Sequence, residues 1–209
     1  ARCVDILQYN PVPVYHKVLQ NIVNEDDRIE VMQEEGSAVF NFSRGETGGL
    51  RYFLTVEHTG DMLSLKGEDQ IIAINEPCCV VLKNKLFLIR DIDSKKLLPF
   101  FDKDFISIPF TAEKKFFEGF VRNAIKKYKV KAEGFDVIDM EATPVPVISI
   151  EADLTGRYHF VLKFIYNEKS IYYANRRTDL KVSCEFEGSS VRFYRMKRDY
   201  DQENQFIAS

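Results

Sequence analysis

Three histidines, His16, His58 and His159, are the side chains of this sequence best suited to proton transfer near neutral pH or to metal ligation. They stand far apart, and none falls in the H-E-x-x-H spacing that puts two imidazoles on one helix face. His58, in TVEHTGD, closes an apolar run beside Glu57 and Asp61, so a polar turn accounts for it. The cysteines are Cys3, Cys78, Cys79 and Cys184, with no C-x-x-C pair, and they read as small buried hydrophobes. Neighbours on a strand point to opposite faces, which predicts one core and one half-exposed thiol at Cys78 and Cys79. The glycine-rich SRGETGGLRY invites a phosphate loop, because successive backbone N–H groups can cradle an anion. It lacks the Lys-Ser/Thr ending and precedes a strand instead of a helix, so it reads as a tight turn entering Leu50–Val56. No serine sits in a G-x-S-x-G elbow. The sequence therefore assigns no catalytic residue and no metal ligand.

Cations are more suggestive. Lys115, Arg122, Lys126 and Lys129 fall on one stripe of a helix that follows Thr111, opposite a phenylalanine face, with Lys127 and Lys131 adding charge near its end. Such a stripe contacts nucleic-acid phosphates, or it is a solvated face whose late cations complement the helix dipole. These four are the nucleic-acid-binding candidates. Arg192, Arg195, Lys197 and Arg198 in VRFYRMKRD carry the same ambiguity.

The elements that must position these groups follow from patterning. The chain of 209 residues is 45% hydrophobic and 29% charged, with 17 Phe and 10 Tyr, enough apolar area for a phenylalanine-rich core. A net charge of -3 gives no overall basic field. No apolar run reaches bilayer length and the opening residues form no secretory signal, so the expectation is a soluble, cytoplasmic protein without a membrane partner. A short helix is expected around His16–Val23. SAVFNFS, LRYFLTVEH, MLSL, QIIAI, CCVVL and KLFLIRD are short β-prone runs separated by turn residues, the cadence of an antiparallel meander, with Lys83, Asn84 and Lys85 as one hairpin turn. Phe116, Phe117, Phe120, Val121, Ala124, Ile125 and Tyr128 recur at helical spacing and predict one amphipathic helix capped by Thr111. Strands are expected at Val145–Glu151 and Tyr158–Tyr166 around a turn at Asp153–Gly156, with both faces of the second at least partly covered. A hairpin follows at Gly188, and DYDQENQFIAS opens a helix that something further follows. The predicted fold is α+β, mainly antiparallel β with one prominent amphipathic helix at about 111–128. Two subdomains are expected: a β-rich 1–141 with the helix, and a smaller 142–209.

Three stretches together carry a resemblance: LLPFFDKDFISIPFTAEKKFFEGFVRNAIKKYKVKAEGFDVI, PVPVISIEADLTGRYHFVLKFIY and RFYRMKRDYDQENQF. Their order and spacing resemble the region upstream of the motor in bacterial, Bacteroides-type SWI/SNF-family helicases, including an R-D-x-x-x-E element at Arg198, Asp199 and Glu203. The resemblance covers most of the chain, best from about Cys78 onward, and its motifs are aromatic and proline positions without catalytic signature. It implies a non-catalytic amino-terminal accessory domain that docks on or regulates an ATP-dependent DNA motor in the same chain and contacts double-stranded DNA. ATP and magnesium would belong to that motor, because the Gly-Lys-Thr loop and Asp-Glu box they need are absent here; this fragment itself would need no cofactor. Two other classes stand beside this reading. A self-contained ligand-binding or hydrolytic protein would assemble a deep pocket from residues distant in sequence, whereas a pure interaction module would expose an apolar patch.

Overall fold

The computed structural model describes residues 6–7, 12–16, 25–45, 48–66, 71–73, 78–167, 169–175, 179–188 and 190–208. The chain divides into two compact units, residues 1–116 with 128–134, and residues 117–127 with 135–209. This partition and the expected division at 141/142 both keep everything from Val145 onward in one unit. They differ in where residues 117–127 and 135–141 fall.

The described residues of the first unit form β1 (Val14–Tyr15), β2 (Arg28–Val31), β3 (Ser37–Arg44), β4 (Leu50–His58), β5 (Asp61–Ser64), β6 (Ile71–Ala73), β7 (Cys78–Leu82), β8 (Lys85–Ile89), β9 (Ile106–Ile108) and β10 (Lys129–Ala132). They form one sheet in the order β1-β2-β8-β7-β6 and another in the order β10-β3-β4-β5, with β9 also on β4. The alternation of SAVFNFS and LRYFLTVEH makes β3 and β4 an antiparallel hairpin, Arg44 opposite Leu50. Within the glycine-rich run the hairpin is closed by Gly45 N–H donating to Gly49 O at 2.7 Å. Arg44 beside that turn donates to both oxygens of Glu113 at 2.6 and 2.7 Å, and the same buried carboxylate accepts Leu50 N–H at 2.8 Å. Lys83 and Asn84 turn β7 into β8 with positive φ at both, a geometry whose twist suits a two-residue hairpin.

Cys78 and Cys79 are both buried, which corrects the expected half-exposed thiol. The strand β7 lies inside its sheet with every residue buried, so both of its faces are covered. Burial, then the neighbouring Cys79, pushes the Cys78 thiol up to about 12.

The second unit holds β11 (Asp136–Met140), β12 (Val145–Ala152), β13 (Tyr158–Tyr166), β14 (Lys169–Tyr172), β15 (Asp179–Glu187) and β16 (Ser190–Lys197), as two three-stranded sheets, β11-β16-β15 and β12-β13-β14. Most ladders of the molecule are antiparallel, but β2–β8, β3–β10 and β11–β16 are parallel, so the fold is α+β with mixed sheets.

The expectation of one prominent helix is corrected. Helices occupy Ser94–Leu97, Phe110–Phe116, Arg122–Lys127 and Tyr200–Ala208, with a π segment at Phe117–Val121 between the second and third. Thr111 lies inside the helix rather than capping it. The π turn takes more residues than an α turn, so apolar positions do not continue as one stripe through it. Phe116 packs on Tyr52 at 5.4 Å in the first unit. In the second, Phe117 meets Phe135 at 5.5 Å and Phe193 at 6.1 Å, while Phe120 stays exposed. The helix expected around His16–Val23 lies, but for His16, outside the described residues.

Candidate docking surface

The groups singled out for chemistry do not converge. Among the described residues no set of three or more His, Cys, Asp or Glu side chains is placed to hold a metal ion. His58 sets its ring edge-on to Phe87 at 5.0 Å and its Nδ1 3.3 Å from Thr59 Oγ1, a structural setting. His159 is exposed on β13. Among the described residues no helix is long and apolar enough to cross a membrane.

The four cationic candidates divide between the units. Lys115 is exposed on the Phe110–Phe116 helix of the first, and Arg122 and Lys126 lie on the Arg122–Lys127 helix of the second. Lys129 is on β10, where its ammonium meets Glu57 at 2.8 Å. The second basic run is matched by carboxylates: Arg192 with Glu187 at 2.8 Å, and Arg195 and Lys197 with Asp139 at 2.6 and 2.9 Å. Hydrogen bonding from Arg195 foremost holds the Asp139 carboxyl down to about 2. A carboxyl depressed on folding stabilises above its unfolded pKa of roughly 4, and that contribution is lost as pH falls through about 2. NMR titration of Asp139 should therefore show a midpoint near 2 that Arg195→Gln moves up toward the ordinary value. An ordinary midpoint in the unmodified protein would contradict the pairing.

The surface that stands out lies on β12 and β13. Their register sets Ile148 opposite Leu162, Ile150 opposite Phe160 and Ala152 opposite Tyr158, so these side chains share one face with Phe164 and Tyr166. The face has two halves. Ile148, Ile150, Tyr158 and Phe160 are 66%, 64%, 77% and 78% exposed, whereas Phe164 and Tyr166 are fully buried. The expected cover on both faces of β13 therefore holds only at its Phe164 end, because what covers that end comes from farther along the chain.

That cover is the Tyr200–Ala208 helix. Phe206 meets Phe164 edge-on at 6.2 Å. Asp199 caps the helix by accepting Gln202 N–H at 3.0 Å. Arg198 and Glu203, with side chains fully buried, join through two 2.6 Å bonds. The Tyr166 hydroxyl donates to Glu203 Oε1 at 2.5 Å and accepts Asp199 N–H at 2.9 Å, and Arg198 also donates to Tyr173 O and Asn175 O. Burial, then the Glu203 hydrogen bond, raises the Tyr166 phenol pKa. The R-D-x-x-x-E element is thus a buried clasp holding helix to strand, a role its i, i+5 spacing did not reveal.

The turn that joins the strands of the bare half is closed by hydrogen bonds. Asp153 Oδ1 accepts Thr155 N–H at 2.7 Å, Thr155 O–H at 2.6 Å and Arg157 N–H at 3.0 Å, and Gly156 takes φ +78 in the turn. Leu154 stands fully exposed at its tip. On the opposite face, Glu151 accepts from Ser149 at 2.8 Å and Tyr172 at 3.1 Å and pairs with Lys163. β12 is also an edge. Tyr173 N–H donates to Leu162 O, so Leu162 turns its backbone toward β14, and its partner Ile148 turns its own away from β13. Pro146 has the same parity, which puts the one residue without an N–H where no neighbour needs it.

No family model, curated protein or solved structure matches the chain.

Proposed function

We propose that the chain is a non-catalytic accessory domain that docks through the bare β12–β13 face, and that what it docks on is the ATPase motor of a bacterial SWI/SNF-type DNA-dependent ATPase. The observation that carries the docking role is the continuous exposure of Ile148, Ile150, Tyr158 and Phe160 on the β12–β13 hairpin. Contiguous apolar surface of this kind, set beside charged neighbours, marks an interaction site. The identity of the partner rests on the resemblance of the three sequence stretches, and ATP and magnesium belong to that partner.

Duplex DNA is a second contact in this reading, through Lys115, Arg122, Lys126 and Lys129. Lys129 already faces Glu57, so it adds less than the other three. Changing the four to Glu is expected to weaken duplex binding and flatten its dependence on salt, since each neutralised phosphate releases counterions. Binding isotherms at two salt concentrations measure this. Unchanged binding removes the DNA contact and leaves the docking role intact.

A further inference from the structure

The sheet β11-β16-β15 has one face set against the helical residues, where Phe117 meets Phe193. The other face carries Met140, Tyr194 and Met196 with Lys181 and Ser183, as the register Met140↔Met196, Lys181↔Met196 and Ser183↔Tyr194 requires. Met196, at one end of that face, packs into a core with Phe164, Tyr166 and Ile171. Beyond it Ile138 and Met140 remain 40% and 46% exposed, and a cleft of about 710 Å³ opens between this face and the end of β13 and start of β14. Clefts of roughly 300–1,000 Å³ are the size that takes small organic ligands.

The lining has a direction. Lys181 stands at one end, opposite Met196 in the register, and among the described residues it forms no ion pair. Ser183 offers a hydroxyl midway, and Glu185 lies four residues from Lys181 on the same strand face, about 13 Å away. Thioethers and a phenol ring make the apolar floor, and sulfur and aromatic edges favour a flat aromatic guest. Lys181 favours an anion at its end of the cleft, whereas at the other end Glu185 lies opposite Arg192, which is itself paired with Glu187.

We propose that this cleft binds a small aromatic anion, its ring over Met140, Tyr194 and Met196 and its carboxylate or phosphate against Lys181. The site is separate from the β12–β13 docking face and does not depend on it.

The protein has four methionines, Met32, Met62, Met140 and Met196, so methyl-labelled methionine in the full chain reports the site directly. Titration with 2-naphthoate is expected to shift Met140 and Met196 saturably and to leave Met32 and Met62 in place. The neutral 2-naphthylmethanol should bind more weakly. Lys181→Glu, at an exposed position, should weaken 2-naphthoate by about tenfold or more. Ile150→Ser should leave the titration as it was, since Ile150 lies outside the cleft. Static Met140 and Met196 signals, a Lys181→Glu titration with unchanged affinity, or equal binding of the neutral compound would each overturn the proposal.

Discussion

Glu203→Ala is expected to lower the stability of the second unit by about 3–5 kcal/mol, the range for breaking a buried ion pair from one side. The substitution leaves the Arg198 guanidinium in a place with no solvent access and takes from the Tyr166 hydroxyl the acceptor that holds it. Against a typical total stability of roughly 5–15 kcal/mol, such a loss releases the Tyr200–Ala208 helix before the sheets separate. The protein has no Trp, so urea unfolding is best followed by tyrosine fluorescence and near-ultraviolet circular dichroism. Arg198→Met with Glu203→Leu should recover part of the loss, because an apolar pair can replace a buried ionic one. Recovery stays incomplete, since the carbonyls of Tyr173 and Asn175 then lack their donor. A single-variant cost below about 1 kcal/mol would show that the clasp is not what holds the helix down.

Ile150→Ser combined with Phe160→Ser should do the reverse: leave stability where it was and reduce affinity for the docking partner by a hundredfold or more. Both side chains are largely exposed, so folding gains little from them. At an interface, removing an apolar or aromatic anchor costs about 2 kcal/mol or more each, and two neighbours together reach that factor. Phe164→Ala on the same face gives the contrast. That ring is fully buried, and its loss should cost about 3–5 kcal/mol of stability. If the double serine variant unfolds at lower urea, the bare half is covered within the chain itself and is not a docking face.

Strand positions were legible in the sequence because alternation and turn residues are local properties. β13 runs from Tyr158 to Tyr166 as its pattern predicts, and the β3–β4 hairpin closes within the glycine-rich run. What alternation cannot encode is which apolar face finds a cover. Tyr158 and Tyr166 occupy the same face of one strand, yet only Tyr166 meets a helix that begins at residue 200. The same limit hid the partners of the charges. Lys129 meets a carboxylate 72 residues away in Glu57, and Arg44 meets one 69 residues away in Glu113. A cationic helix stripe requires a constant 3.6-residue period, which the π segment at Phe117–Val121 interrupts and which ends before Lys129 joins β10. Neither break has a reliable sequence signal, since π turns are set by packing on both sides of the helix.

The most direct test of the docking role replaces Phe160 with the photo-cross-linker benzoylphenylalanine and irradiates the chain with the SWI/SNF-type ATPase motor proposed as its partner. A covalent adduct with the motor is expected from position 160 and none from a matched cross-linker at Lys163, on the opposite face of β13. A motor that binds the chain without an adduct at 160, or with equal yield from 163, would contradict the docking role.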